Sequence, residues 1–186
     1  MSRSQITKVV IHNGVNIMNT LPRTMKINRM SSTRLGDEMG YSQSNISKMS
    51  HGKTELQFDS VKSMLDKMPD NQFLAMDIAN RLIGVSVPII NGNKVMKESL
   101  AMAIKAMPEL NQSIDAIKES LDELTIPVDE LTEKDLIDPM KAINESWDVV
   151  LYLTNFIAFV SEEHHLSMQQ SLNERNVKWK MEGITA

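Results

Sequence analysis

Residues 30–52 read MSSTRLGDEMGYSQSNISKMSHG, and the spacing of their few apolar side chains decides the fold predicted for the amino-terminal part of the chain. Each half of the stretch carries one narrow apolar stripe at helical spacing, formed by Leu35 with Met39 and by Ile46 with Met49. Gly40 lies between the two stripes, where a left-handed residue ends a helix without steric cost. The stretch therefore predicts two short helices joined by a tight turn.

The second helix of this pair is predicted to be polar on its outer face. Ser42 suits its N-cap, because a serine side chain accepts a hydrogen bond from a backbone N–H of the first turn, and Gly52 is placed to end it. The side chains that then point outward are Gln43, Ser44, Asn45 and Lys48. Side chains of these types read base edges when a helix enters the major groove of DNA.

These residues resemble the helix-turn-helix domain of phage repressors and Cro proteins, the Xre-like family. The positions that match the family pattern are Met30, Leu35, Gly40, Ser42, Gln43, Ser44, Ile46, Ser47, Gly52 and Lys53. Gly36 stands where the family usually has a small alanine. The resemblance extends through Phe58, Val61, Met64 and Leu65, which look like a fourth helix, and covers residues 21–69. It implies a lambda-repressor-like domain of four or five short helices.

Two departures from the family pattern lie at the first helix. Family members often pair an arginine of that helix with a glutamate near the end of the recognition helix, and here Met25 and Ser50 occupy these positions. Losing both partners of a buried ion pair can be close to neutral, so the change weakens the resemblance little. Pro22 fits only if the first helix starts beside it, with Thr20 as its cap.

The exposed face and the resemblance together indicate contacts with double-stranded DNA. The predicted DNA-binding residues are Ser32, Ser42, Gln43, Ser44, Asn45, Lys48, His51 and Lys53. We expect Gln43 and Ser44 to reach base edges, with Lys48 one turn further along, because glutamine suits adenine and lysine suits guanine. Ser32, Asn45, His51 and Lys53 are expected to hold phosphates, which set register without reading sequence.

The net charge of −4 is divided unevenly along the chain. Residues 1–69 carry ten Lys and Arg against five Asp and Glu, which gives +5, whereas residues 70–186 carry ten against nineteen, which gives −9. A basic front and an acidic back suit a protein that presents one face to a polyanion. We therefore predict a DNA-binding domain over 1–69, with an N-terminal arm or hairpin at 1–19, and a second domain over 70–186.

Three short segments suggest a small β-ribbon. Asn13-Gly14 lies between β-branched runs in residues 6–18, which is a strong hairpin signal. A second Asn-Gly at 91–92 lies in a run over 85–95, where Pro88 restricts the strand to a sheet edge. Near the carboxyl end, the alternation of Val177, Trp179 and Met181 with lysines predicts a third strand.

The rest of residues 70–186 is predicted to be helical. One helix is expected over 70–83, and a charged linker over 125–135. Between them, a heptad-like seam consists of Met107, Leu110, Ile114, Ile117, Leu121 and Leu124, with Pro108 in the first turn of its helix. A last helix is expected to start at Asp138-Pro139, with its apolar residues in the same rhythm at Met140, Ile143, Trp147, Val150, Thr154, Ile157 and Ser161.

The middle of this last helix, VVLYLTNFIAFV at 149–160, is apolar nearly all round. Twelve such residues are too few to cross a bilayer, so protein is expected to cover most of the helix. A helical hairpin would bury only one stripe of it, and the remaining apolar surface predicts a homodimer. The predicted dimer interface is formed by Trp147, Val150, Leu151, Thr154 and Ile157.

Composition argues against several other classes of protein. The absence of cysteine removes disulfides, thiol catalysis and cysteine-ligated zinc. The four histidines form no recognisable catalytic set, and the adjacent side chains of 162–165 diverge on a helix and suit no metal. Residues 51–54 lack the earlier glycine of a phosphate-binding loop. No membrane span or signal peptide is visible. We expect a cytoplasmic protein that is not an enzyme and has neither metal nor cofactor.

The sequence thus predicts a mostly α protein that binds double-stranded DNA as a transcriptional regulator, most simply a repressor of the kind that phages and mobile elements carry. Such a repressor acts by occupying a site that polymerase needs. An alternative from another class stays open. The helix-turn-helix could serve as a scaffold while the acidic half binds a protein, as an antitoxin or an inhibitor of a host enzyme does.

Overall fold

A computed structural model of the chain describes residues 14–84 and 86–185. These residues are mostly α-helical, with eight α-helices and one two-stranded sheet, which confirms the predicted fold class at this level. The chain divides into two compact units between Pro69 and Asp70. Within the described ranges, no helix is both long enough and apolar enough to cross a membrane.

The first unit contains four helices and the sheet. Its helices are α1 (Leu21–Ile27), α2 (Ser32–Met39), α3 (Gln43–Ser50) and α4 (Phe58–Lys67). Its strands are β1 (Gly14–Val15) and β2 (Leu56–Gln57), which pair antiparallel with Gly14 opposite Gln57 and Val15 opposite Leu56. The first strand of the hairpin predicted around Asn13-Gly14 lies outside the described residues, and the residues that follow the turn pair with β2 instead.

The core of the first unit contains Leu35, Ile46, Met49 and Met64 from the predicted apolar positions, whereas Met39 is only half-buried and Phe58 is 40% exposed. The fully buried side chains of this core include Ile17, Leu21, Leu35, Ile46, Met49, Leu56 and Met64. Helix α1 begins at Leu21, directly after Thr20, as Pro22 required. Both apolar residues of α3 are in this core, so its remaining side chains are free to face outward.

The second unit is built from longer helices. They are α5 (Gln72–Ile83), α6 (Ser99–Glu119), α7 (Ile137–Glu163) and α8 (Met168–Met181), with a short 3₁₀ turn at Glu123–Thr125. The helices predicted over 70–83 and from Asp138-Pro139 are confirmed, and the predicted linker forms the connection between α6 and α7. The core joins Phe73 and Met76 of α5, Met102 of α6, and Ala158 and Phe159 of α7. The two phenylalanine rings meet edge to face, with centroids 4.9 Å apart.

The strand predicted over 85–95 is wrong, because residues 86–98 contain neither strand nor helix. A buried side chain takes the place of a neighbouring strand. The Ile90 N–H donates to Asn155 Oδ1 at 2.9 Å, and Asn155 Nδ2 donates to the Pro88 carbonyl at 3.0 Å. The same Nδ2 also donates to the Leu151 carbonyl within α7 at 2.8 Å. One N–H and one carbonyl of this segment are thus paired by a single side-chain amide and not by a neighbouring strand.

The strand predicted around Trp179 is also wrong, because these residues lie in α8. Ser167 caps this helix by accepting a hydrogen bond from the Gln170 N–H at 3.1 Å. Side chains four residues apart pair along it, Gln170 with Glu174 and Lys178 with Glu182. An alternation over five residues is too short to distinguish a strand from a polar helix, and the capping serine is the stronger signal.

Helix α6 corrects one prediction. It begins at Ser99, so Pro108 lies inside the helix rather than in its first turn. Its start is held by Glu163 of α7, whose carboxylate accepts hydrogen bonds from the Ser99 N–H at 2.7 Å and from the Ser99 hydroxyl at 2.5 Å. These bonds lower the pKa of Glu163. The residues of the predicted seam are largely exposed within one chain, since Met107 is 66% exposed and Ile114 is 47% exposed.

The Asn155 amide is the polar centre of the second unit and can be tested directly. Asn155 is fully buried, and a carboxylate in its place would face two carbonyl oxygens without a proton to donate. We expect Asn155→Asp to lower the free energy of unfolding by at least about 2 kcal/mol, measured by urea denaturation at neutral pH. Asn144→Asp makes the same chemical change on the exposed side of α7 and should stay within about 0.5 kcal/mol of the parent. Equal losses from the two variants would contradict this role of Asn155.

Candidate nucleic-acid interface

Two short helices with a three-residue turn between them present the candidate interface. Helix α2 is capped by Ser31, whose hydroxyl accepts from the Arg34 N–H at 3.1 Å, and it ends at Gly40, which has a φ of +71°. Helix α3 is capped by Ser42, whose hydroxyl accepts from the Asn45 N–H at 3.2 Å. The predicted roles of Gly40 as helix terminator and of Ser42 as N-cap are thereby confirmed.

The turn between α2 and α3 is held at the level of the backbone. The Tyr41 N–H donates to the Gly36 carbonyl at 2.8 Å, and the Tyr41 hydroxyl lies 2.7 Å from the hydroxyl of Ser60 in α4. A Cβ atom on Gly36 would lie 2.6 Å from the Tyr41 carbonyl oxygen and 3.3 Å from the Gln43 nitrogen. The approach is too close for a side chain, which explains why glycine stands at this buried position of α2.

Because Ile46 and Met49 are buried, the opposite side of α3 faces outward. This side lines a shallow depression of about 250 Å³, and the lining residues are Gln43, Ser44, Ser47, Lys48, His51 and Lys53. Five of the eight predicted DNA-binding residues therefore share one surface. Ser47 was missed from the prediction, although it lies one turn after Gln43 and one turn before His51, which is the spacing of a shared helix face.

The other three predicted residues lie outside this depression. The Ser42 hydroxyl is engaged as the N-cap of α3. Asn45 is half-buried on α3, and Ser32 is half-buried in the first turn of α2. The structure therefore does not bring these three side chains together with the residues that line the depression.

The electrostatics of the depression favour an anion. Its lining includes two exposed lysines and no acidic residue. In the ranges that the structure describes, no carboxylate forms an ion pair with Lys48 or Lys53. Lys62 of the same unit, by contrast, is paired, because its Nζ lies 2.7 Å from the Asp66 Oδ2. The His51 Nδ1 lies 2.6 Å from the Ser47 carbonyl oxygen. A carbonyl can only accept, so Nδ1 donates this bond, and Nε2 of the neutral ring is an acceptor. The attraction for an anion therefore comes from the two lysines.

The predicted dimer residues lie on α7 in the second unit. Trp147, Val150 and Ile157 are 46%, 42% and 45% exposed, whereas Leu151 and Thr154 are half-buried. Beside them, α6 and α7 form an apolar groove of about 440 Å³, and its lining residues are Ile117, Ser120, Leu124, Pro139, Ala142, Ile143, Ser146, Trp147 and Val150. The groove was not predicted, because it depends on how the two helices meet.

One group of metal-ligand type occurs among the described residues. Carboxylate oxygens of Glu109, Glu145 and Asp148 lie within 4.8 Å of one another, on the facing helices α6 and α7. Exposed carboxylates often cluster in this way without an ion. The group therefore assigns no chemistry to the second unit.

Comparison with known proteins adds no further assignment. No protein-family model matches the chain, and neither characterised proteins nor solved structures match it significantly. The function has to be inferred from the residues and the geometry of the chain itself.

The close backbone approach at Gly36 generates a prediction about the geometry of this surface. We expect Gly36→Ala to lower the free energy of unfolding by about 1–2 kcal/mol, because overpacking costs about 1–3 kcal/mol and the better helix propensity of alanine offsets up to about 1 kcal/mol. Gly92→Ala is the matched control, since a Cβ there meets no atom within 4 Å. Thermal or urea unfolding measures both, and an unchanged or more stable Gly36→Ala variant would contradict the tight contact.

Proposed function

We propose that this protein binds double-stranded DNA in a sequence-specific manner through the exposed side of α3, and that it acts as a transcriptional regulator. The observation that carries the proposal is the depression on α3, where five of its six lining residues match the DNA-binding set expected from the sequence. Two lysines, a histidine, a glutamine and two serines provide both donors and acceptors without a competing carboxylate.

The dimensions of α3 suit the major groove. An α-helix with its side chains is about 10–12 Å in diameter, which matches the major-groove width of about 12 Å, and the eight residues of α3 extend about 12 Å along the helix axis at about 1.5 Å per residue. A helix of this length covers about three or four base pairs. Gln43 and Ser44 at its amino end are the residues for base edges, with Lys48 one turn further, while His51 and Lys53 are placed for phosphates.

The charge distribution also supports contact with DNA through the segment that contains α3. The +5 segment of 1–69 contains α3, and the −9 segment of 70–186 would be repelled by a polyanion. The resemblance of residues 30–53 to phage repressors favours repression by occupying a promoter, with a homodimer presenting two copies of α3 to two half-sites.

Single substitutions in the depression separate base reading from phosphate binding. A preferred duplex is first selected from a random pool with the full chain, and affinities are then measured by fluorescence anisotropy. We expect Gln43→Ala to weaken the binding free energy for the preferred duplex by about 1–3 kcal/mol. The same change should relax the preference for one base at one position of the duplex. Lys53→Ala should weaken binding to all duplexes alike, because a phosphate contact carries no sequence information.

Lys62→Ala is the matched control for these measurements. It removes the same charge from the same unit, but Lys62 is paired with Asp66 and lies on α4 rather than on α3. The control should bind DNA nearly as the parent does. If Gln43→Ala changes neither affinity nor base preference, α3 does not read the groove.

The charge asymmetry also generates a salt prediction. If a dimer neutralises about six phosphates, counterion release should lower the affinity about a thousandfold between 50 and 200 mM salt. Lys53→Ala should reduce the slope of log K against log salt by about two per dimer. An affinity that is flat across this range, or absent throughout it, would remove the DNA-binding proposal and favour the alternative of a protein partner for the acidic half.

A further inference from the structure

Helices α6 and α7 contact each other mainly through small side chains, although large apolar side chains usually fill such a contact. Over most of their length the two helices meet through small residues, and the buried ones are Ala106, Ser113, Ala116, Ala142, Ala158 and Ser161. The Ser113 and Ser146 hydroxyls lie 3.1 Å apart across this contact. Small residues let the helices approach closely, but they leave little apolar area buried between them.

Met102 and Phe159 are buried in the core, but many other large apolar residues of these helices are exposed. We call one set of them, together with Leu121 and Leu124 of the connection after α6, the outer face, and its residues are Met107, Ile114, Ile117, Leu121, Leu124, Met140, Ile143, Trp147, Val150 and Ile157. Each of these side chains is between 42% and 66% exposed. At its centre, members from both helices line the groove of about 440 Å³. Contiguous apolar surface of this extent is rare on soluble monomers and marks an interaction surface.

We propose that the outer face is covered by the outer face of a second copy, with the two α7 helices antiparallel, so that both hairpins together form a four-helix bundle. The inference rests on the homodimer of the proposed function and adds its geometry. It does not depend on DNA binding.

The order of side chains along α7 fits an antiparallel pair. If the two-fold axis passes between Val150 and Leu151, then Trp147 of each copy faces Thr154 of the other. The largest side chain of the face thereby meets one of the smallest, as close packing requires. Ile157 of each copy then lies opposite residues 143–147 of the other copy. There its side chain can fill the groove, whose small lining residues include Ala142 and Ser146.

Charge selects the antiparallel arrangement over the parallel one. The connection at 119–138 carries eight Asp and Glu and one Lys, and it precedes and enters α7. Helix α8 follows α7 and carries three basic residues against one glutamate, with no residue buried in its own chain. An antiparallel pair brings each α8 to the end where the other copy has its acidic connection. A parallel pair would set acidic connection against acidic connection, which is unfavourable.

The same charges argue against a lipid or nucleic-acid surface as the occupant. Carboxylates of Glu109, Glu145 and Asp148 cluster on these helices, and the whole second segment has a net charge of −9. An anionic membrane or a polyanion would be repelled. A second copy offers apolar surface of the same extent together with a basic helix.

Light scattering of the full chain at micromolar concentration, without DNA, tests the covering of the face. We expect a dimer, and we expect Trp147→Asp to raise its dissociation constant at least about tenfold, because a central aromatic residue dominates such an interface. Met96→Asp is the matched control, since Met96 is 67% exposed but lies outside α6 and α7. A monomeric parent chain, or equal effects of the two variants, would overturn the proposal.

Cysteine cross-linking tests the orientation, because the chain has no cysteine of its own. In the antiparallel pair, position 143 of one copy lies near position 157 of the other, whereas the two copies of position 143 are about 22 Å apart at 1.5 Å per residue. A mixture of Ile143→Cys and Ile157→Cys should therefore form disulfide-linked dimers under mild oxidation, and neither variant alone should do so.

The outcomes of these two experiments separate the proposals. Cross-linking of each single variant with itself would mean a parallel pair, which contradicts the inference while leaving the homodimer intact. A monomer would end both the inference and the homodimer. A dimer with the predicted cross-links but without DNA affinity would uphold the inference and reject the proposed function.

Discussion

The candidate interface depends on the contact between two backbone segments at Gly36. Because this residue has no side chain, α2 lies directly against the turn that leads into α3, and the Tyr41 N–H reaches the Gly36 carbonyl at 2.8 Å. Ile46 and Met49 then fall into the core, and Gln43, Ser44 and Lys48 on the other side of α3 are exposed. A bulkier residue at 36 would push α3 away and change which side chains are presented.

In the second unit, small side chains dominate the contact between two long helices, and this bears on the proposed homodimer. Its helices α6 and α7 approach largely through alanine and serine, so the free energy of burying the large apolar side chains of the outer face is not gained within one chain. A second copy supplies the missing surface in the proposed bundle. The proposed DNA binding and the proposed assembly thus draw on separate residues, with α3 on one unit and the outer face on the other.

Local chemistry explains what could be predicted from the sequence and what could not. Gly40 and Ser42 act on their nearest neighbours, so the ends of α2 and α3 followed from residue types alone. The segment at 86–98 depends on Asn155, which is far away in sequence, and the local pattern wrongly predicts a strand there. The seam of α6 was recognised by its spacing, but spacing does not tell whether large or small residues face the neighbouring helix. Ser47 was missed because serine alone gives a weak signal, although its position one turn from Gln43 and His51 would have indicated it.

A titration of the ¹⁵N-labelled full chain with its selected duplex, followed through backbone amide chemical shifts, tests most directly whether α3 contacts DNA. We expect the largest chemical-shift changes at the amides from Gln43 to Lys53. The amides of α8 and of the α6–α7 connection should be nearly unaffected by a short duplex. Shifts confined to the second unit, or no shifts at a salt concentration low enough to retain electrostatic binding, would contradict the claim that α3 contacts DNA.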